Sequence, residues 1–210
     1  MAQRVAVVDY GLNNLDSVCR ALEECGAQPF VTDGPAELRR ADRIVLPGVG
    51  AFPDAMANLT AAGLAEGLRS EVAAGAPLLG ICLGMQLLAT TGFEVVEAAG
   101  LGCVPAQVRR LQPTADDPRI PHVGWNEVLP VNGAAGLFDG IPAGADFYFV
   151  HSFHVLCDDD ADVVATTPYC GGFASAVVHG NVVGVQFHPE KSQVHGFQLL
   201  RNFLAWEPAC

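Results

Sequence analysis

Positive charge is scarce in this chain. Its 210 residues hold 11 Lys and Arg against 23 Asp and Glu, a formal charge of −12. With no basic patch to neutralise phosphates, nucleic acid is excluded as a partner. The acidity reads first as solubility, and second as a face that steers toward a basic partner. Long apolar runs are also missing. None reaches the roughly 18 uninterrupted residues that a spanning helix needs, so no membrane segment is expected. Met1-Ala2-Gln3-Arg4 leads straight into a strand-like run rather than a cleavable signal. The seven cysteines lack zinc-ligand spacing and fit a reducing cytoplasm better than a disulfide framework. The sequon Asn58-Leu59-Thr60 therefore carries no meaning. Internal repeats and low-complexity tracts are absent. Cys157 to Asp162 is acidic, but without a loop glycine and a closing glutamate it reads as a solvated turn, not a calcium loop. His151 and His154 lack a third ligand nearby, so neither a metal nor another cofactor is expected. His154, His179 and His195 take surface or satisfied polar roles by default.

Half the residues are apolar, enough to build a substantial core in one domain over 1–210. Arg4–Asp9, Gln28–Thr32, Arg43–Leu46 and Pro77–Ile81 read as short buried strands. Between them, Asn14–Cys25, Pro53–Leu59 and Leu64–Ala74 have helical apolar spacing, with Gly26 and Gly75 as stops. Gly84–Thr90 reads as the helix after the fourth strand. This β-α-β rhythm predicts an α/β fold, a mostly parallel central sheet flanked by helices. The second half is strand-rich. Val104–Leu111, Phe147–Val150, Val163–Thr167, Ala174–His179 and Val182–Phe187 are predicted strands, the last two a hairpin through Gly180-Asn181. Ser192–Trp206 closes as an amphipathic helix with Phe197, Leu200, Phe203 and Leu204 on one side.

The chemistry centres on Gly80-Ile81-Cys82-Leu83-Gly84, directly after a strand. Gly-x-Cys-x-Gly is the cysteine form of the nucleophile elbow, a sharp strand-to-helix turn that exposes its central side chain. A buried core cysteine is the bland alternative. Far along the chain stands Phe187-His188-Pro189-Glu190. On an extended segment His188 and Glu190 share parity and face one way, a base and the carboxylate that orients it. A helix N-terminus and a nearby histidine both favour Cys82 as the attacking thiolate. The backbone N–H of Leu83, next after the nucleophile, is one donor for the oxyanion of a tetrahedral intermediate. Gln86 stands one helical turn after Cys82 and can face the same site. Pro47-Gly48-Val49-Gly50 is not a phosphate loop, because no Gly-Lys-Ser/Thr follows.

Several segments together carry a family resemblance. They are Asp9-Tyr10-Gly11, Leu46-Pro47-Gly48-Val49-Gly50-Ala51-Phe52, Gly80 to Leu88, Ile120-Pro121-His122-Val123-Gly124-Trp125-Asn126, Tyr148 to Ser152 and Gly184 to Ser192. Over nearly its full length the chain resembles the glutaminase subunits of imidazole glycerol phosphate synthase, class I triad-type glutamine amidotransferases. The resemblance implies a flavodoxin-like domain. It implies glutamine hydrolysis by Cys82, His188 and Glu190, with ammonia channelled to an α/β-barrel cyclase subunit in histidine biosynthesis. Val49 and Gly50 are implied as the second oxyanion element, through a peptide that must rotate inward and that the partner favours. Gln86, Glu94, His151, Ser152 and Phe153 are implied to line the glutamine pocket, the last three mainly through backbone groups. Asn14, Trp125 and Lys191 are implied to face the partner; core packing is the alternative for Trp125, and a solvated loop for Glu94.

Two segments depart from the family pattern. Gly11-Leu12-Asn13-Asn14-Leu15-Asp16-Ser17 has Asn13 where a glycine is usual, which a left-handed turn tolerates, and Asp16 where an arginine is usual. Gly92-Phe93-Glu94 replaces a Ser-Glu-Glu-like run. Three other readings stay open: a paralogous glutaminase that serves a surface-sugar synthase, a stand-alone cysteine hydrolase, and a non-catalytic binding subunit. The presence of Cys82, His188 and Glu190 speaks against the last.

Overall fold

The computed structural model describes residues 2–12, 14–131 and 136–208. The expected left-handed turn at Asn13 lies outside the described residues. The first half runs β1 (Arg4–Val8), α1 (Leu15–Glu24), β2 (Gln28–Thr32), α2 (Pro35–Leu38), β3 (Arg43–Leu46), α3 (Phe52–Ala61), α4 (Leu64–Ala73) and β4 (Leu78–Ile81). Then follow α5 (Leu83–Leu87), β5 (Ala89–Gly92), β6 (Ala98–Ala99), β7 (Val104–Arg110), β8 (His122–Pro130), β9 (Ala145–His151) and β10 (Phe153–Cys157). The chain closes with β11 (Val163–Thr167), β12 (Phe173–His179), β13 (Val182–Val185) and α6 (Gln193–Ala205).

Nine strands form one mixed sheet in the order β2-β1-β3-β4-β13-β12-β11-β8-β9. From β2 to β13 all neighbours are parallel. From β13 onward they are antiparallel, the contribution of the strand-rich half. A second sheet, β10-β7-β5-β6, is not hydrogen-bonded to it but shares its core, with Val104, Val108 and Val155 packed in one cluster with Val177 and Val182. The apolar runs of the first half are explained by burial on both faces of the main sheet. Val5, Val7, Val45 and Leu79 pack on one side with α1 and α6, while Ala6, Val8, Ile44 and Leu78 pack on the other with α3 and α4. Leu200, Phe203 and Leu204 of α6 are buried as the helical spacing requires, and Phe197 packs at the core edge. The β12–β13 hairpin forms through Gly180, which takes φ +57°. Among the described residues, no helix is long and apolar enough to cross a membrane.

The helix after β4 is shorter than its spacing predicts. It stops at Leu87, and Ala89–Gly92 is the strand β5 instead. Tertiary pairing wins over local preference: the Leu87 and Leu88 carbonyls accept from Leu101, Cys103 and Val104, and Thr91 pairs with Ala99 and Gln107. Strands β8 and β10 carry no clean alternation in sequence. Gly124, Pro130 and the polar residues between them hide β8, which is held by its pairing with β9.

Glycine 84 allows α5 to sit close under β3. A Cβ there would collide with the Leu46 carbonyl. Gly84→Ala is therefore expected to lower stability by about 3 kcal/mol or more, read as a fall in the urea midpoint. A midpoint equal to wild type would show that this close approach does not constrain the fold.

Candidate active site

Strands β4 and β13 are parallel neighbours, with Ile81 opposite Val185. Each continues past its C-terminal end into a functional residue, the place where open α/β sheets carry their sites. The Cys82 N–H donates to the Val185 carbonyl at 2.8 Å, and Cys82 itself turns sharply, with φ +55° and ψ −109°. Such a conformation costs a non-glycine residue about 1–3 kcal/mol and is held by its surroundings. The elbow predicted from the pentapeptide is thus present. Leu83 opens α5, so its N–H has no helical carbonyl to bond.

His188 Nδ1 and Glu190 Oε1 are 2.8 Å apart, and both side chains are almost fully buried. Burial works against a charge on His188. The Cys82 sulfur and the Glu190 carboxylate outweigh it and raise the His188 pKa to about 9. The other ring nitrogen, Nε2, is buried and makes no hydrogen bond of acceptable geometry among the described residues, although the imidazole is close enough to feel the sulfur. Ser192 fixes this segment: its hydroxyl donates to the His188 carbonyl at 2.6 Å and accepts from the Tyr148 N–H at 3.0 Å.

Cys82 and His188 open on a cavity of about 250 Å³. All the residues implied for substrate and oxyanion, namely Leu83, Val49, Gly50, Gln86, Glu94, His151, Ser152 and Phe153, line it. Glu94 is half-buried here rather than in a solvated loop; its Oε2 accepts the Phe52 N–H at 2.7 Å at the start of α3. The Ser152 carbonyl is taken by Leu111, and the Phe153 carbonyl by Gln86 and His151.

Gln186 is a residue that sequence reasoning passed over. Gln86 Nε2 donates to the Phe153 carbonyl and to Gln186 Oε1, each at 3.0 Å. A backbone carbonyl only accepts, so the Gln86 amide has one workable orientation. Gln186 must then turn its NH2 to the Cys82 sulfur, 3.7 Å away, where a donor favours the thiolate. Its signal was available: Gln186 shares parity with His188 in an extended run and is a polar residue among apolar neighbours.

The segment 47–50, expected to supply the second oxyanion donor, follows β3 as a loop. The Val49 N–H donates to the Leu12 carbonyl at 2.9 Å, a bond within the entry loop's reach and away from any oxyanion. The two flanking glycines serve different ends. Gly50 takes φ +110°, which favours glycine, whereas Gly48 lacks room, since a Cβ would strike the Tyr10 hydroxyl. That hydroxyl donates to the Pro47 carbonyl at 2.9 Å. Tyr10 thereby anchors the segment just before Gly48.

Of the residues implied to face a partner, Trp125 is 47% exposed, so core packing does not account for it. Its ring meets Tyr148 edge-on at 6.0 Å, and Lys191 Nζ lies 5.8 Å from the same Tyr148 ring. Asn14 and Lys191 are exposed. Asp16 is exposed in the first turn of α1. His154 departs from its default role: its Nδ1 is buried beside Phe173 and has no hydrogen-bond partner among the described residues.

The model of the family described as glutamine amidotransferase class-I matches residues 6–206. The imidazole glycerol phosphate synthase subunit HisH of Moorella thermoacetica is 48% identical over 95% of this chain and 93% of that protein. Its counterpart in Caulobacter vibrioides is 46% identical over 98% of this chain and all of that protein (100%). Among solved structures, PurLQS from Thermotoga maritima superposes with a TM-score of 0.75 at 21% identity, covering 98% of this chain and 99% of that one. A glutamine amidotransferase from Thermotoga maritima gives 0.67 at 19%, covering 97% of each chain. These two likenesses speak to the fold.

The raised pKa of His188 generates a pH prediction. A free histidine titrates near 6.5, so the bound proton stabilises the fold fully below about pH 6.5, and that stabilisation is lost as pH rises through about 9. Glu190→Gln removes one cause of the shift. The urea-stability gap between wild type and this variant is expected to be widest near pH 6 and to narrow above pH 9. A gap that widens with pH would contradict the assignment.

Proposed function

The chain belongs to the class-I glutamine amidotransferases, within the branch of the imidazole glycerol phosphate synthase subunits HisH, and from that membership we propose how its site works. It is a glutaminase subunit that serves histidine biosynthesis. Glutamine binds in the cavity with its ammonium toward Glu94 and its carboxylate toward the backbone of His151–Phe153. Cys82 attacks the side-chain amide carbon as a thiolate. The tetrahedral oxyanion is met by the Leu83 N–H and by the Val49–Gly50 strand once its peptide has turned. His188 protonates the leaving ammonia, and a thioester to Cys82 remains. His188, now neutral, takes a proton from water, which attacks the thioester and frees glutamate. Glu190 holds the Nδ1 proton of His188 throughout and stabilises the charged ring.

The ammonia passes to a cyclase subunit of α/β-barrel fold, which makes imidazole glycerol phosphate and aminoimidazole carboxamide ribotide. The 210 residues act as one domain in a cytoplasmic heterodimer, docked by the Trp125, Lys191 and Asn14 face. The observation that carries the reading is the Cys82–His188–Glu190 arrangement in a chain nearly half identical to HisH proteins. The surface-sugar branch has no comparable support. A stand-alone hydrolase is disfavoured by the Val49 N–H, which the resting fold ties to Leu12.

Glutamate release is to be measured for the chain alone, with a histidine-pathway cyclase, and with that cyclase plus its nucleotide substrate. Because one oxyanion donor is turned away at rest, the full mixture is expected to exceed the chain alone by about 10²–10³-fold. Equal rates in all three would sink the gated reading. Cys82→Ala is expected to abolish release while the cyclase still co-elutes; residual turnover would mean that another group is the nucleophile.

A further inference from the structure

Behind the glutamine pocket, β8 and β9 pair with His122 opposite His151, two buried histidines that line up in a chain of contacts. His122 Nδ1 is 3.0 Å from His151 Nε2. His151 Nδ1 is 2.8 Å from the Phe153 carbonyl. At the other end, His122 Nε2 is 3.2 Å from the Asn126 side-chain amide nitrogen. Proton positions on the two rings follow from the ends. The Phe153 carbonyl can only accept, so His151 carries its proton on Nδ1 and presents a lone pair at Nε2. His122 must then donate from Nδ1 and accept at Nε2. Asn126 supplies that donor, because its Oδ1 already accepts the Glu127 N–H at 2.9 Å, which fixes the amide. Every donor in the row meets an acceptor, and both rings are neutral.

The surroundings hold this state. His122 is stacked between Tyr169 and Phe149, with ring centroids 4.0 Å and 4.8 Å away. Burial depresses the pKa of His122 to about 4, with the Asp117 carboxylate opposing, and that of His151 to about 3, where the Phe153 carbonyl opposes and His122, His154 and His188 add to the depression. A charged ring would put two donors face to face and break the row.

We propose that Asn126, His122 and His151 form a directed hydrogen-bond relay that fixes the wall of the glutamine pocket, which makes Asn126 and His122 positioning residues although neither lines that pocket. The relay ends on the Phe153 carbonyl, which also receives Gln86, and Gln86 continues through Gln186 to the Cys82 sulfur. The Phe153 carbonyl thus anchors His151 and Gln86 together, and the relay holds that carbonyl in the pocket wall. The role in catalysis rests on the glutaminase reading; the tautomers themselves do not.

Two variants test the relay. His122→Phe keeps the aromatic stack and deletes both hydrogen bonds. Asn126→Asp is nearly isosteric and replaces the donor with an acceptor, so His122 must move its proton to Nε2 or gain a second one. Imidazole ¹⁵N shifts of the full chain are read first, without turnover. Wild type is expected to show both rings neutral and protonated at Nδ1 from pH 5.5 to 8, and Asn126→Asp to move the His122 proton. Kinetics with the cyclase and its nucleotide substrate follow. In each variant KM for glutamine is expected to rise about tenfold, the effect of leaving a buried hydrogen-bonding group unpaired, with kcat little changed. Cys82 alkylation by iodoacetamide at the wild-type rate would show the nucleophile intact. A wild-type ring that titrates near pH 6.5 or carries its proton at Nε2 overturns the relay. So does an unchanged KM in both folded variants. Because the shifts are read without glutamine, failure of the relay and failure of the glutaminase assignment give different results.

Discussion

The parallel pairing of β4 with β13 is the constraint on which the rest of the site depends. Ile81 stands opposite Val185, so the residues just beyond them leave the sheet side by side. One strand turns at once into the Cys82 elbow, and the other runs on to Gln186 and His188. A slip of register would carry His188 away from the sulfur and turn alternate side chains to the wrong face. The pairing is secured by burial on both sides: Leu78, Leu79, Val182 and Val183 are almost wholly buried. Core energetics therefore hold the catalytic geometry, and the elbow's backbone strain is carried by the packing around it.

The three histidines nearest the site show how environment sets proton affinity within one small region. His188 is buried, yet holds its proton to about pH 9, because a carboxylate and a sulfur flank it. His151 and His122 are buried among aromatic rings and one another, with no carboxylate in contact, and stay neutral to about pH 3 and 4. Desolvation acts on all three in the same direction. The partner decides the outcome. A histidine that holds its proton stands beside Cys82, and neutral rings stand behind the cavity wall.

The loop 47–50 is held differently. The Val49 N–H is bonded to the Leu12 carbonyl, and the Pro47 carbonyl accepts from the Tyr10 hydroxyl. A backbone donor that already has a partner loses that bond if its peptide turns, so on the proposed mechanism the turn costs free energy until another contact compensates.

Much of this was legible in residue order alone. The elbow was visible in Gly80 to Gly84, because a nucleophile on a strained turn needs small neighbours. The parallel half of the sheet was visible in four short apolar runs separated by helical spacing, whereas the parity expected to align His188 with Glu190 does not apply, because Pro189–Lys191 is a 3-10 turn and the turn, not an extended segment, brings the carboxylate back to the ring. Local rules failed where long-range pairing decides the backbone. Ala89–Gly92 leaves its helix to join a second sheet, and β8 exists because β9 lies beside it. The orientation of the Val49 peptide, and the sulfur as the partner of Gln186, were hidden for the same reason. Which amide faces a sulfur, and which carbonyl an N–H chooses, depends on groups brought together from distant parts of the chain. The sequence by itself determined which chemical groups are present and which local turns can carry them. Only the tertiary structure decided their partners, and with them the protonation and the resting state, because hydrogen bonds and desolvation act through space and not along the chain.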